Sequence, residues 1–583
     1  MKKKCAFALL FALWGCTTES SPTQFSENEI NEAKIVNILS SAIVSDPSHD
    51  PYSVENMNVA LKKTVLAKSR SAEDSLEAET LSLEANYLYV RFLANGKQGE
   101  RELKSYDSTL VLFKHPMDYK QISKPAVYID PTLPDSVIPY FATVPVDYKF
   151  GPTKYEVIKK LFLVEPDECG GDDCDDIDND STTVEKRLLS RTKGLTKKSA
   201  SKLSDLGVSL REVEWNSLEM TGNLNERLSS DGVKTFNKPK FAWSLFSSAR
   251  KMGGKLMYRD TTLNKDLPLV GVRVTGGYSY YWREAHTKED GSFSIPEKWS
   301  YSIDYEANFD SEDFLLENGH SFYGEDLEIE KNSTKQQWTP IFEGKHALWS
   351  IIWSAAYQYW YGDNYGLKRP RQNTLTNLSL DIEVYYKNKK DYTKAFSIFT
   401  DNPGFGCNAG NRTVGQTGTA IVFDNICILA YERSHHEVFG TTIHEIAHSS
   451  QYWNMKTDYA LYPQVAEYNW VLTPTYKDSY ARGVQNYFIE QRYNSTAYNA
   501  PYDLQYTGIV KDLMDNNPKV EWSCTKLDRV SGFNIVNIEE AFFQNQDFSS
   551  MKKYLIKNNP PGKNGVNKYS STDMDNLFKC WGL

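Results

Sequence analysis

Thr442-Ile443-His444-Glu445-Ile446-Ala447-His448-Ser449-Ser450 sets two histidines four positions apart, with a glutamate directly after the first. On an α-helix such positions lie one turn apart on the same face, so both imidazoles reach a single ion. The flanking residues predict that helix independently. Ser434 with Glu437 is a capping-box start, and Val438, Phe439, Ile443, Ile446 and Ala447 supply apolar positions for packing. Gly440 inside the helix costs about 1 kcal/mol of propensity relative to alanine, which points to tight packing or close backbone approach there. His435 and His436 lie roughly two to four turns earlier and are read as exposed or capping residues.

A helical histidine pair of this kind suits zinc, which lowers the pKa of a water from 15.7 to about 7. Glu445, beside that water, takes its proton and returns it to a leaving amine. His444 and His448 are therefore the expected metal ligands and Glu445 the expected general base. No histidine follows His448, which excludes the metzincin pattern and leaves a carboxylate as third ligand. The nearest are Glu467, in Gln464-Val465-Ala466-Glu467, and Asp478, which opens Asp478-Ser479-Tyr480-Ala481-Arg482-Gly483-Val484-Gln485. Asp478 follows Pro474 and reads equally well as the N-cap of the next helix. The mechanism also needs a donor to the developing oxyanion. Tyr480, Tyr487, Tyr506 and Arg482 all qualify, and spacing does not separate them.

Outward from this site the chain reads as multidomain α+β, since 583 residues exceed what one core normally holds. An N-terminal α+β domain is expected over 31–166, with helical periodicity over 27–66 and strands at 87–93, 108–113 and 141–146. Residues 167–249 form an acidic then basic linker with a helical connector. Asp176, Asp178 and Asp180 alternate like a calcium loop but lack the glycine and final glutamate of an EF-hand, so they read as a solvated acidic loop. A central β-sandwich is expected over 250–340, where Asp290-Gly291 signals a hairpin turn. Residues 341–583 form a mainly helical domain that carries the histidine pair. Its predicted opening helix covers 347–360, with strands at 378–386 and 419–423.

Met1-Lys2-Lys3-Lys4 and the short apolar run after it read as an export signal over 1–15. Leu13-Trp14-Gly15-Cys16 resembles a bacterial lipobox, so Cys16 is the expected lipid anchor, followed by a tether to residue 30. Six further cysteines favour disulfides in an exported chain. Sequence proximity suggests Cys169 with Cys174, Cys407 with Cys427 and Cys524 with Cys580. A net charge of -10 argues against nonspecific nucleic-acid binding.

Thr442 to Ser450, Asp478 to Gln485 and Tyr506-Thr507-Gly508-Ile509-Val510 together resemble a zincin-like family of bacterial lipoproteins, HExxH metallopeptidases of the gluzincin type. That family's second segment usually reads Glu-Ser-Trp-Ala-Arg-Gly-Val-Gln. Its Glu falls on Asp478 and its Trp on Tyr480, so the resemblance implies Asp478 as third ligand ahead of Glu467. Pro268-Leu269-Val270-Gly271-Val272-Arg273-Val274 and the stretch 287–295 resemble the carboxypeptidase regulatory-like domain, a small accessory β-sandwich. The resemblance implies a zinc metallopeptidase displayed on a bacterial membrane, acting on a peptide or protein. The alternative is a surface lipoprotein that binds glycan or protein on an inactive zincin scaffold. The presence of Glu445, which a merely structural metal does not need, weighs against that alternative.

Overall fold

The computed structural model describes residues 43–44, 50–69, 71–117, 120–121, 130, 133, 137–164, 193–223, 250–299, 302–318, 325–334, 337–370, 380–385, 396–397, 425–430, 433–455, 472–494, 507–514, 529–563 and 565–583. The chain is α+β, with helices and several separate sheets. The signal segment, tether and Cys16 lie outside the described residues, as do Asp176, Asp178, Asp180, Cys169, Cys174, Cys407 and Cys524. Cys427 and Cys580 are each in a disulfide. Among the described residues no helix is long and apolar enough to cross a membrane.

Strand β1 (Tyr87–Asn95) runs antiparallel between β2 (Val137–Pro145) and β3 (Tyr155–Leu161). Alternation sends Leu88, Val90, Phe92 and Ala94 to one face, where Leu103 of helix α2 (Gly96–Tyr106) covers them. Tyr87 and Tyr89 face the other way and join the largest core, Tyr89 against Tyr280 with ring centroids 5.1 Å apart. The strand expected at 108–113 does not form. Asp107 turns the chain by accepting the Thr109 N–H at 2.9 Å, and only Phe113 pairs, bridging to Phe141. Helix α1 (Val54–Lys68) packs with α3 (Lys197–Asp205) and α4 (Leu210–Met220) around Met57, Leu61, Leu203 and Val213. The stretch read as linker and connector thus contributes two helices to the N-terminal core. Its Lys202 is paired with both Asp74 and Glu77 at 2.7 Å.

The central β region comprises β4 (Arg250–Lys255), β5 (Met257–Asp260), β6 (Lys265–Pro268), β7 (Arg273–Tyr278), β8 (Tyr281–His286), β9 (Ser292–Trp299) and β10 (Ile303–Asn308). Of these, β7, β8 and β10 form with β13 (Glu328–Thr334) a four-stranded antiparallel sheet in the order β8-β7-β10-β13, while β9 pairs with β4, and β5 lies between β6 and β14 (Ile341–Phe342). The Asp290-Gly291 turn is present, with Gly291 at φ +82°. It closes locally, the Gly291 N–H donating to the Lys288 carbonyl and the Lys288 N–H to the Ser292 carbonyl, each at 2.8 Å. It passes the chain from β8 in one sheet to β9 in another, because the Gly291 carbonyl accepts the Leu256 N–H at 2.9 Å, at the junction of β4 and β5.

Strand β11 (Phe314–Asn318), inside the range expected for the sandwich, leaves it to start a different sheet. It pairs parallel with β15 (Leu380–Tyr385), which pairs parallel with β17 (Asn425–Leu429). The edges are antiparallel, β12 (Glu325–Asp326) on β11 and β16 (Phe396–Ser397) on β17. Leu316, Ile382, Val384, Ile426 and Ile428 are fully buried in the core that also holds α5 (Gly344–Trp360) and α6 (His435–Asn454). Helix α6 lies against α5 and against α7 (Pro474–Tyr493). Beyond them come α8 (Ile509–Met514), α9 (Ile535–Gln544), α10 (Phe548–Asn558) and α11 (Ser571–Cys580).

Candidate metal centre

Helix α6 begins where its sequence predicts. The Ser434 N–H donates to Glu437 Oε2 at 2.9 Å and its hydroxyl to the same oxygen at 2.5 Å, using the N3 side chain to fix the first turn. Helix α7 begins at Pro474, with Thr473 as its N-cap accepting the Tyr476 N–H at 3.3 Å. Asp478 therefore sits a turn inside the helix and is not a cap. The two helices run antiparallel at close range because α6 has no side chain at Gly440. A Cβ there would lie 2.4 Å from Ile489 Cδ1 and 3.0 Å from Gln485 Nε2.

This close pairing brings His444, His448 and Asp478 together, although Asp478 comes from a different helix. His448 Nε2 lies 3.1 Å from His444 Nε2 and 3.1 Å from Asp478 Oδ1. One ligand atom from each residue falls within 4.8 Å of the others. Exposure is 8% for His444, 0% for His448 and 6% for Asp478. Two imidazole nitrogens and a carboxylate oxygen are a zinc donor set, and tetrahedral bonds of about 2.0–2.2 Å put neighbouring ligands roughly 3.3 Å apart, close to the two 3.1 Å separations around His448. A single proton on His448 Nε2 satisfies one of its two contacts, whereas a cation among the three atoms satisfies all. Burial holds His444 well below its ordinary pKa, and the His448 and Arg482 charges push the same way against Asp478 and Gln485. Its ring is thus neutral, as a metal ligand must be. Glu445, next along the helix, is itself 3% exposed. Glu467 lies outside the described residues.

Helical periodicity separates the oxyanion candidates. Asp478, Arg482 and Gln485 are spaced i, i+4 and i+7, and share the face of α7 turned to α6. Tyr480 and Tyr487 lie on the opposite face. Tyr480 is fully buried with its hydroxyl on Glu539 Oε1 at 2.9 Å, and Tyr487 packs edge-on to Tyr365 at 5.0 Å. Tyr506 lies outside the described residues. Gln485, 3% exposed and acting on His444 so as to favour its protonated form, belongs to the site and was missed in the sequence reading, although its spacing from Asp478 carried the signal.

His435 and His436 serve elsewhere. His435 is 7% exposed, so the expectation of an exposed residue does not hold for it; its Nδ1 accepts the Thr261 N–H at 3.0 Å. Burial depresses its pKa, as does the Arg492 charge, while Asp260 opposes them. The His436 N–H donates to Thr262 Oγ1 at 3.2 Å. Both residues fasten the start of α6 to the β5–β6 turn. No protein-family model, curated protein or solved structure matches this chain.

Proposed function

We propose that this chain is a zinc-dependent hydrolase with a zincin-like C-terminal domain, acting on peptide bonds and held at a bacterial membrane by lipid on Cys16. The observation that carries the reading is the convergence of one ligand atom from each of His444, His448 and Asp478 within 4.8 Å, with Glu445 buried next to His444 on the helix. Zinc held by these three supplies Lewis acidity, which makes water ionisable near neutral pH. Glu445 takes the proton of the attacking water and passes it to the leaving amine. Arg482, the cation on the α7 face that carries Asp478, is assigned to the charge growing on the carbonyl oxygen. The mixed sheet β12-β11-β15-β17-β16 backs α6, so the base and the two histidine ligands stand on a helix supported along one side. The β-sandwich is assigned a positioning role, and the membrane anchor rests on the lipobox-like segment alone.

The test is zinc content joined to proteome-wide cleavage profiling of the full chain. Wild type should hold zinc near one equivalent, His444→Ala/His448→Ala should hold none, and Glu445→Gln should keep the metal while cleavage falls by about a hundredfold or more. Absence of zinc from metal-replete wild type sinks the proposal. Zinc without any cleavage, with glycan binding indifferent to Glu445→Gln, replaces it with the binding-scaffold reading.

A further inference from the structure

Glu539, on α9, is 1% exposed and has no part in the chemistry above. Its Oε1 accepts the Tyr480 hydroxyl at 2.9 Å, and the Lys368 backbone N–H lies 3.1 Å from Oε1 and 3.0 Å from Oε2. Tyr480 is two positions beyond Asp478 on α7. Lys368 leads to the other ligand helix, because its carbonyl accepts the hydroxyl of Ser450 at 2.5 Å, and Ser450 is two positions beyond His448 on α6. Asn454, one turn further along α6, reinforces the join by donating to the Arg369 carbonyl at 2.8 Å. One carboxylate therefore takes hydrogen bonds from both sides of the metal cluster, through a hydroxyl on α7 and through a main-chain link to α6.

We infer that Glu539 is a positioning residue, a strut that sets the distance between the helices carrying His448 and Asp478 and so the fit of the metal. A glutamate suits the task because both of its oxygens accept, whereas an amide would point two N–H donors into a site already supplied with donors. Leaving the Tyr480 hydroxyl or the Lys368 N–H unmatched in a buried site is costly enough to move a helix instead. Helix α7 also carries an internal control. Tyr476, equally buried, hydrogen-bonds the Phe542 and Asn545 carbonyls at 3.2 and 3.1 Å and makes no link to Glu539.

The inference rests on the zinc reading, and the experiment separates the two. Zinc dissociation constants are measured by chelator competition on the full chain. Tyr480→Phe and Ser450→Ala, each cutting one arm, should weaken zinc about tenfold, the low end for residues that hold a metal's ligands in place. Glu539→Ala should weaken it more, and Tyr480→Phe made in a Glu539→Gln background should add little. Tyr476→Phe should leave the constant at the wild-type value even if it lowers the melting temperature as much as Tyr480→Phe. Zinc affinity unchanged in Tyr480→Phe and Ser450→Ala, or weakened equally by Tyr476→Phe, overturns the strut while leaving the metal site standing. A wild-type chain that takes no zinc overturns both.

Discussion

Helices α6 and α7 enclose two buried polar clusters, one near each end of their contact, and the clusters are built on opposite principles. At the start of α6 and the end of α7, Asp260 is fully buried and accepts the Thr262 and Leu263 N–H groups at 3.0 and 3.1 Å and the Tyr493 hydroxyl at 3.1 Å. Arg492 lies 3.8 Å from the same carboxylate, donates to Tyr258 at 2.6 Å and stacks over Phe439. Burial works against the Arg492 charge, yet Tyr258 and Tyr493 hold its pKa above the ordinary arginine value. That cluster supplies its own cation. At the other end, two imidazole nitrogens and a carboxylate oxygen face one another. Acceptors gathered in a dry pocket are costly unless something positive joins them. The first cluster pairs its carboxylate with a cation 3.8 Å away, and the second gathers three groups that could hold a metal ion.

Removing the charge from one partner at each end tests this difference most directly, with urea unfolding of zinc-free protein as the measurement. Arg492→Met strands the Asp260 charge and should cost about 3–5 kcal/mol. Asp478→Asn, which takes charge out of the acceptor cluster while keeping its shape, should change zinc-free stability by less than about 1 kcal/mol or raise it. It should also abolish the stabilisation that added zinc gives wild type. Equal losses in the two variants would mean that His448 and Asp478 form a self-contained ion pair like the first, and the contrast would fail.

A third buried carboxylate has a pH signature of its own. Burial raises the pKa of Glu539 from 4.5 to about 7, against the opposing pull of the Lys368 N–H, the Tyr480 hydroxyl and the Lys368 charge, and with a small push from Glu540. Tyr359 also faces this group, its own pKa raised by burial and by the Glu539 charge. Because the folded state holds the proton more tightly than the unfolded chain, the contribution is fully present below about pH 4.5 and is lost as pH rises through 7. The full excursion is roughly 3 kcal/mol. Zinc-free wild type should therefore lose stability between pH 5 and 8 relative to Glu539→Gln. Parallel pH profiles for the two would show that Glu539 is ionised throughout.

The parts of the site written into a single helix were legible in the sequence. The spacing of His444 and His448, the Ser434 cap and the odd glycine at 440 each follow from helical periodicity and local chemistry, which act over one or two turns. Asp478 was one of two carboxylates in reach, since nothing local decides which segment returns to the cleft. The Thr473 cap, visible only with the helix start in place, is what takes Asp478 out of the capping role. Glu539 and Lys368 could not be paired in advance, because their contact spans 171 positions of chain. At 108–113 two local patterns compete, and the Asp107 turn prevails over the strand composition of the run. The Asp290-Gly291 turn forms as its residues predict, but the strands it joins enter different sheets, with the Gly291 carbonyl taken by Leu256.

Gly440 lies between the two clusters, and its replacement should have the smallest effect on stability. Alanine there gains about 1 kcal/mol of helix propensity. Its Cβ, however, meets Ile489 Cδ1 at 2.4 Å and Gln485 Nε2 at 3.0 Å, so α7 must shift or Ile489 must change rotamer. Overpacking of this size costs about 1–3 kcal/mol, leaving a net loss of about 1 kcal/mol. Ile489→Val removes the methyl that clashes, so the double variant should recover most of the loss while the single Ile489→Val costs about 1 kcal/mol. The shift would separate His444 from Gln485 and Asp478 but leave the Arg492 cluster, held by its own ion pair and stacking, nearly intact. Zinc affinity should thus fall in Gly440→Ala by more than its modest stability loss suggests. A variant that keeps wild-type zinc affinity while losing stability would show that the metal cluster, like its counterpart, is anchored by contacts of its own and not by the spacing of the helices.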